Sequence, residues 1–340
     1  MPLGDESFGV VIAGAASLRG KDLKQYAQES GFPAGEIRLI DEELAVGTLT
    51  DVGGEPAVIQ RVDESSFEQM RFVFFAGSPQ FSEKHGAAAM STKATVIDLS
   101  SGLSGVPGAR PWIPRLDGML PTPAPSEEDE SPAGLYLAPS TPAIVAIGLS
   151  AAFSELSLKC LAVAFFVPVS ERGQAGVDEL ENQTTKLLSF QPIPQKVFDT
   201  QVAFNMVDRW GPESGERLPD RRSALESEVH AYLAGRAFMP AMTLIQAPVF
   251  YGNAFSVYAE FGAIESAEFL TERLAAGGFT ISEDGSAPSN IIVAGEAHPM
   301  IGRPQRNPNV DCGYWFWGAA DNLRVASANA MRIAETLLAT

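Results

Sequence analysis

The chain is poor in the residues from which metal sites, disulfide frameworks and proton relays are usually built. It has two cysteines, Cys160 and Cys312, and no Cys-x-x-Cys pair, so neither a disulfide scaffold nor a thiolate zinc cluster organises it. Its three histidines, His85, His230 and His298, stand alone, and the His-Glu-x-x-His signature is absent, so no metal is expected. Basic residues are scarce: 24 Lys and Arg face 42 Asp and Glu, a formal net charge of −18. Phosphate backbones and anionic bilayers are recognised through clustered cations, so this composition excludes nucleic acid and a membrane surface as expected partners. Long apolar runs are missing too; CLAVAFFVPV, residues 160–169, is too short to cross a bilayer. The N-terminus, MPLGDESFGV, has no basic stretch leading into an apolar run. No secretory leader is therefore expected, and a cytoplasmic location follows.

What is present is a globular composition, 45% hydrophobic over 340 residues, enough for two domains with a substantial core. The first third alternates strand-like and helix-like patterns. FGVVIAG, EIRLID, RFVFFAG and ATVIDLS read as strands; LKQYAQES, stopped by Gly31, and the stretch around EKHGAAAM read as helices. Such alternation predicts a parallel sheet covered on both faces. Residues 104–134, rich in Pro, Ser and acids, interrupt it and read as a linker. Beyond the linker, TPAIVAIGLSAAFSEL reads as a helix with Thr141 as N-cap and Pro142 in its first turn. LKCLAVAFFVPV, AMTLIQAPVFYG and FSVYAEFGA read as strands of a mixed sheet. The expected fold is α/β: a Rossmann-type domain over 1–133, completed by a helix at 321–340, and an α+β domain over 134–320.

The turn after the first strand, FGVVIAGAASLRGKDL, has the outline of a dinucleotide-binding loop. Gly14 and Gly20 take the outer glycine positions, Ser17 replaces the central one, and Asp41 closes the second strand where a ribose-binding acid belongs. The same residues equally make a plain strand-to-helix turn.

The chain resembles the aspartate-semialdehyde dehydrogenase family over nearly its whole length. The resemblance rests on the Gly14 turn, VIDLSSG, QAGVDEL, QVAFN, APVFYG, IGR and the closing AADNLR…ANAMRIAETLL. It implies a nucleotide-binding first domain, to which the last helix returns, and a second domain that carries the catalytic residues and forms a homodimer. It also implies a reaction in which a cysteine forms a thioester, a histidine moves the proton and a nicotinamide cofactor takes the hydride. Three positions depart from that pattern. Thr141 stands at the cysteine position, Asn253 at the histidine and Gln246 at the arginine that grips the substrate carboxylate. A hydroxyl has no thiolate-like population near neutral pH, an amide cannot relay a proton, and glutamine forms no charge-assisted fork. A family glutamine falls on Val167, and the family's Ser-Gly-Ala-Gly turn reads Ser170, Glu171, Arg172, Gly173. The phosphate-binding lysine expected near His230 is missing.

Cys160 is expected to be a core residue, Cys312 a packing residue near a strand start and His298 a surface loop residue. Cofactor contacts are implied at Gly14, Ser17, Gly20, Asp41, Ser100, Ser101 and Asn322. Asp41, Glu42 and Glu43 oppose a 2′-phosphate, so NAD is favoured over NADP; Ser17, intruding on the pyrophosphate, makes even NAD binding weak or absent. The resulting expectation is a homodimeric homologue without the family reaction, binding a small ligand or regulating. The alternative is an NAD-dependent oxidoreductase acting on a different small substrate without a cysteine nucleophile. Docking through the acidic 127–130 loop is weaker, because charge runs are usually solvated.

Overall fold

FGVVIA and MRFVFF are apolar at nearly every position, as strands covered on both faces must be. In the computed structural model they lie side by side in a parallel sheet. The strands of this part are β1 (Phe8–Ala13), β2 (Ala34–Asp41), β3 (Leu49–Val52), β4 (Glu55–Val58), β5 (Gln60–Arg61), β6 (Met70–Phe75), β7 (Thr95–Asp98), β8 (Arg110–Pro111) and β9 (Leu135–Leu137). Seven form the sheet in the order β5-β2-β1-β6-β7-β9-β8, every pair parallel, while β3 and β4 make a separate hairpin. Alternate residues of β1 feed two cores. Val10 and Ile12 pack with Leu23 of helix α1 (Leu18–Glu29) and with Met331 and Ile333 of the helix Arg324–Ala339. Val11 and Ala13 pack with Phe81 of α2 (Pro79–Met90). The strand order reverses between β1 and β6, where an open α/β sheet leaves a crevice at the carboxyl ends of its strands.

The structure describes residues 8–42, 47–52, 55–121, 134–283 and 286–339. The chain divides into two compact units: Met1–Pro114 with Ala124–Pro139 and Ala326–Thr340, and Arg115–Pro123 with Ser140–Val325. The sequence placed the second domain's start at 134. Instead β9 pairs parallel with β7, which keeps residues up to Pro139 in the first unit.

The second unit contains α3 (Thr141–Ala152), β10 (Leu158–Val167), α4 (Gly173–Leu188), α5 (Leu218–Leu233), β11 (Ala241–Gln246), β12 (Asn253–Phe261), α6 (Ala267–Ala276), β13 (Thr280–Ile281), β14 (Met300–Ile301), β15 (Gln305–Arg306) and β16 (Gly313–Ala320). Its mixed sheet runs β11-β10-β12-β16-β14-β13, with β15 pairing β16. Along β10 and β12 burial alternates with period two. Leu161, Val163, Phe165, Phe255 and Val257 face the core; Cys160, Ala162, Ala164, Phe166, Ser256 and Tyr258 face the other way and are only half-buried. Cys160 is thus on the open face rather than in the core, a correction that follows from strand parity.

Two buried polar residues of α4 fix the long connection that follows it. The Glu179 carboxylate accepts from the peptide N–H groups of Lys196 (2.7 Å), Val197 (2.7 Å) and Phe198 (3.2 Å). Gln183 accepts from Val202 and Ala203 and donates to the carbonyls of Pro194 and Thr200. Within QAGVDEL, Glu179 is therefore committed to holding this connection. Among the described residues no helix is long and apolar enough to cross a membrane.

Candidate functional site

In the first unit the Gly14 turn sits at the strand-order reversal. Gly14 has φ +85°, and a Cβ there would lie 2.4 Å from the backbone of Gly77, just beyond β6. A Cβ on Gly20 would lie 2.3 Å from the Gly14 carbonyl oxygen. Both glycines are required by close backbone approach. The amides of this turn are largely committed to the chain itself. Gly14 and Ala15 donate to the Ile40 carbonyl, Ser17 donates to the Gly14 carbonyl, and Ala16 donates to Asp41 Oδ2 at 2.7 Å. Ser17 is the N-cap of α1: its hydroxyl accepts from Gly20 N–H (2.8 Å) and donates to the Ala76 carbonyl (2.8 Å). Asp41 therefore holds the turn through Ala16 and its own strand end through Glu42 N–H at 2.8 Å. Glu42 pairs with Lys84 at 3.4 Å; Glu43–Ala45 and the acidic 127–130 run lie outside the described residues.

Ser100 turns inward. Its hydroxyl and peptide N–H both bond Asp98 Oδ1, at 2.7 and 2.8 Å, and the hydroxyl also meets Ser82. Ser101 is exposed with φ +64°, a left-handed conformation uncommon outside glycine. Asn322 belongs to the second unit.

The second unit gathers Thr141, Gln246 and Asn253 at one end of its sheet. Gln246 ends β11 opposite Val167, the end of β10; Asn253 opens β12 opposite Ala320, the end of β16. Thr141 is tied to the segment just beyond β16, its buried hydroxyl donating to the Asn322 carbonyl at 3.1 Å. It is the first residue of α3, not its cap. The cap is Ser140, whose hydroxyl accepts from Ala143 N–H, and its extended backbone, φ −62° and ψ 156°, is what an N-cap requires. Ser140 also donates its peptide N–H (2.7 Å) and hydroxyl (2.6 Å) to the two oxygens of Glu228 on α5. The positive end of α3 is thus already complemented by a carboxylate of the chain.

Gln246 is fully buried and inward-facing. Its Nε2 donates to the carbonyls of Val167 and Ala247, both at 3.0 Å, and its Oε1 accepts from Trp210 Nε1 at 3.3 Å. The Asn322 side chain accepts from Gly252 N–H at 2.8 Å and donates to Ser170 Oγ at 3.1 Å. Asn253 is fully buried, and neither atom of its amide has a partner. Arg172 lies over the Trp210 ring, 5.0 Å from its centre, and pairs with Glu216, which also takes Arg221 at 3.2 Å. Burial pushes the Glu216 carboxyl up, but Arg221 and Arg172 together hold it below its ordinary range.

Thr141, Ser170, Gln246, Asn253 and Asn322 offer hydroxyls and amides, and the Glu228 carboxylate reaches this end of the sheet through Ser140. The cysteines lie elsewhere: Cys160 stands opposite Glu260 and Cys312 beside Phe261, at the far end of β12 from Asn253, roughly 25 Å away at about 3.3 Å per residue. His298 contacts Arg115, and His230 lies in the last turn of α5. No group of three or more His, Cys, Asp or Glu able to hold a metal occurs among the described residues.

A parallel sheet with a glycine turn at its strand-order reversal, followed by a mixed-sheet domain with its polar positions at one end, defines a two-domain nucleotide-binding dehydrogenase architecture. Residues 9–115 match the NAD-binding domain of semialdehyde dehydrogenases and residues 149–325 match their dimerisation domain. The chain belongs to the aspartate-semialdehyde dehydrogenase family. It is 28% identical to a USG-1 protein homolog of Azotobacter vinelandii and 27% identical to aspartate-semialdehyde dehydrogenase 2 of Vibrio cholerae, each match covering 98% of both chains. A solved structure of a probable aspartate-semialdehyde dehydrogenase from Pseudomonas aeruginosa superposes with a TM-score of 0.83 at 26% identity, covering 98% of this chain and 99% of that one.

Proposed function

We propose that this chain keeps the semialdehyde dehydrogenase fold, has lost the thioester reaction, and binds a small ligand in a non-catalytic or regulatory role. The observation that carries this reading is Thr141. Its hydroxyl is buried and donates to a main-chain carbonyl, and a carbonyl cannot accept the proton that would make an alkoxide nucleophile. Gln246 adds to it, because its amide is spent on the chain and has nothing left to grip a carboxylate. The alternative, an oxidoreductase working on another substrate, needs an acid or base at the sheet end, where the carboxylate beside Thr141, Glu228, has both oxygens bonded to Ser140. A steady-state assay with aspartate semialdehyde, phosphate and either nicotinamide nucleotide tests the reading. The expected outcome is no turnover above background. Turnover within about a hundredfold of the typical 10 per second would overturn it.

If a dinucleotide binds in the first unit, it is NAD, held weakly. The turn amides of Gly14, Ala15, Ala16, Ser17 and Gly20 are committed within the chain, leaving few donors for a pyrophosphate. Glu42 disfavours a 2′-phosphate. The working form is a homodimer through the second unit. Its sheet leaves one face half-open with Phe166, Tyr258, Trp315 and Trp317 clustered on it, the kind of exposed apolar patch that marks a protein–protein surface. Light scattering at micromolar concentration should return twice the monomer mass of 36.2 kDa; a monomer would refute the assignment.

A further inference from the structure

Of the described residues Thr141, Ser170, Gln246, Asn253 and Asn322 at the end of the second sheet, Asn253 alone has an amide without partners. Thr141, Ser170, Gln246 and Asn322 are bonded within the chain, whereas Asn253 is fully buried with Oδ1 and Nδ2 both unpaired. Its cross-strand neighbour on β16 is Ala320, which offers nothing polar. A buried amide without hydrogen bonds is costly, and natural chains retain one mainly where something else completes it. An amide presents an acceptor and a donor side by side in one plane. The group that satisfies both at once is a second amide, its carbonyl accepting from Nδ2 and its NH2 donating to Oδ1.

The charges around the site point the same way. Glu228 already carries negative charge to the start of α3 through Ser140, and Ser140 adjoins Thr141, which is bonded to Asn322. The neighbouring cations, Arg172 and Arg221, are paired with Glu216 and Glu171, with the Arg172 Nε left unbonded over the Trp210 ring. An arriving carboxylate or phosphate meets the Glu228 charge, and both of these cations are already paired with carboxylates. We infer that the Asn253 site takes an uncharged primary carboxamide and rejects anions; this rests on the non-catalytic binding role proposed above. Asn253 is closed from solvent, so the carboxamide enters through a locally opened form, and the apparent affinity is reduced by the rarity of that form.

The test uses the full-length protein and reads unfolding temperature and calorimetric binding. The probes are glutamine and asparagine, for an amino-acid-sized ligand, and nicotinamide, for the carboxamide of a pyridine cofactor. The counter-probes are glutamate, aspartate and inorganic phosphate. At least one carboxamide is expected to stabilise the protein while its acid counterpart does not, and whichever class binds identifies the source of the amide. Asn253→Leu, of similar size and apolar, is expected to weaken that binding about tenfold or more. The ligand-free variant should unfold at or above the wild-type temperature, because an unpaired amide has been removed. Should it fail to fold, Asn253→Ser gives the same readout. Three results would overturn the inference: no carboxamide binds at millimolar concentration, the acids bind as well as the amides, or Asn253→Leu binds the carboxamide unchanged. The turnover assay is separate. Turnover of aspartate semialdehyde with carboxamide selectivity intact removes the non-catalytic role but not the recognition chemistry; silence in that assay with acids binding does the reverse.

Discussion

The turn after β1 and the end of the second sheet hold their residues in place for different reasons. In the turn the constraint is space: Gly14 and Gly20 are fixed by backbone atoms closer than a Cβ tolerates, whatever does or does not bind there. At the sheet end the constraint is pairing. Gln246, Asn322, Thr141 and Ser140 are held by hydrogen bonds to carbonyls, amides and a carboxylate. Backbone geometry therefore fixes the shape of the first turn whatever its amides bond to, while side-chain pairing fixes the layout of the second site.

The largest effect is expected from forcing the family's charge back into the second site. Gln246→Arg places a guanidinium in a fully buried position among the Val167 and Ala247 carbonyls and the Trp210 ring, with no carboxylate bonded there. A buried unpaired charge should cost about 3–5 kcal/mol, read as a lowered midpoint in denaturant unfolding. A loss under about 1 kcal/mol would mean that the pocket already accommodates an ion, and the pairing account of this site would fail.

In the first unit, Gly20→Ala should cost about 2 kcal/mol, because its Cβ meets backbone, which cannot swing aside as a side chain can. The loss should occur in the nucleotide-free protein. If Gly20→Ala left stability untouched and changed only nucleotide binding, space would not be what conserves the turn's shape.

Much of this layout can be read from residues alone. The strands FGVVIA and MRFVFF and the helix after Thr141 follow from apolar runs and capping residues, and the positions of Thr141, Gln246 and Asn253 follow from short motifs with fixed neighbours. What cannot be read is who meets whom across long separations. Ser140 and Glu228 are 88 residues apart, and Asp41 reaches back 25 residues to Ala16. Ser17 seems from sequence alone a mere intrusion into a glycine loop; in the fold it is a cap whose hydroxyl spans two elements. Cys160 misleads for another reason. LKCLAVAFFV is apolar on both faces, so only the sheet itself shows that Cys160 lies on its half-buried face.

A smaller effect separates pairing from charge at the second site. The Glu216 carboxyl is held below its ordinary 4.5 by Arg221 and Arg172, acting against burial. A depressed carboxylate contributes stability that is present above the unfolded value and is lost as pH falls through the lower folded value. Glu216→Gln should therefore match wild type at strongly acidic pH and fall below it from about pH 5 upward. The difference should stay under about 1 kcal/mol, because the side chain is half exposed (51%) and screened by solvent. A pH-independent difference would show that packing over Trp210, not the charge, fixes Arg172.

The smallest stability change is expected at Ser17, where the first site can be tested against its own geometry. Ser17→Gly removes a cap, which glycine replaces at a cost of only a few tenths of a kcal/mol. It also deletes the hydroxyl that occupies the Gly20 N–H and the Ala76 carbonyl. A freed amide at the start of α1 points where a pyrophosphate would lie, and one charge-assisted hydrogen bond should tighten NAD binding about tenfold. The proposed preference for NAD over NADP should not change, because Asp41 and Glu42 are untouched. Calorimetry with both nucleotides on wild type and Ser17→Gly decides between two causes of the weak binding proposed above. Tighter NAD binding in the variant assigns the weakness to one committed amide. Unchanged binding assigns it to the amides of Ala15 and Ala16, which the backbone of β2 and the Asp41 carboxylate hold in both proteins.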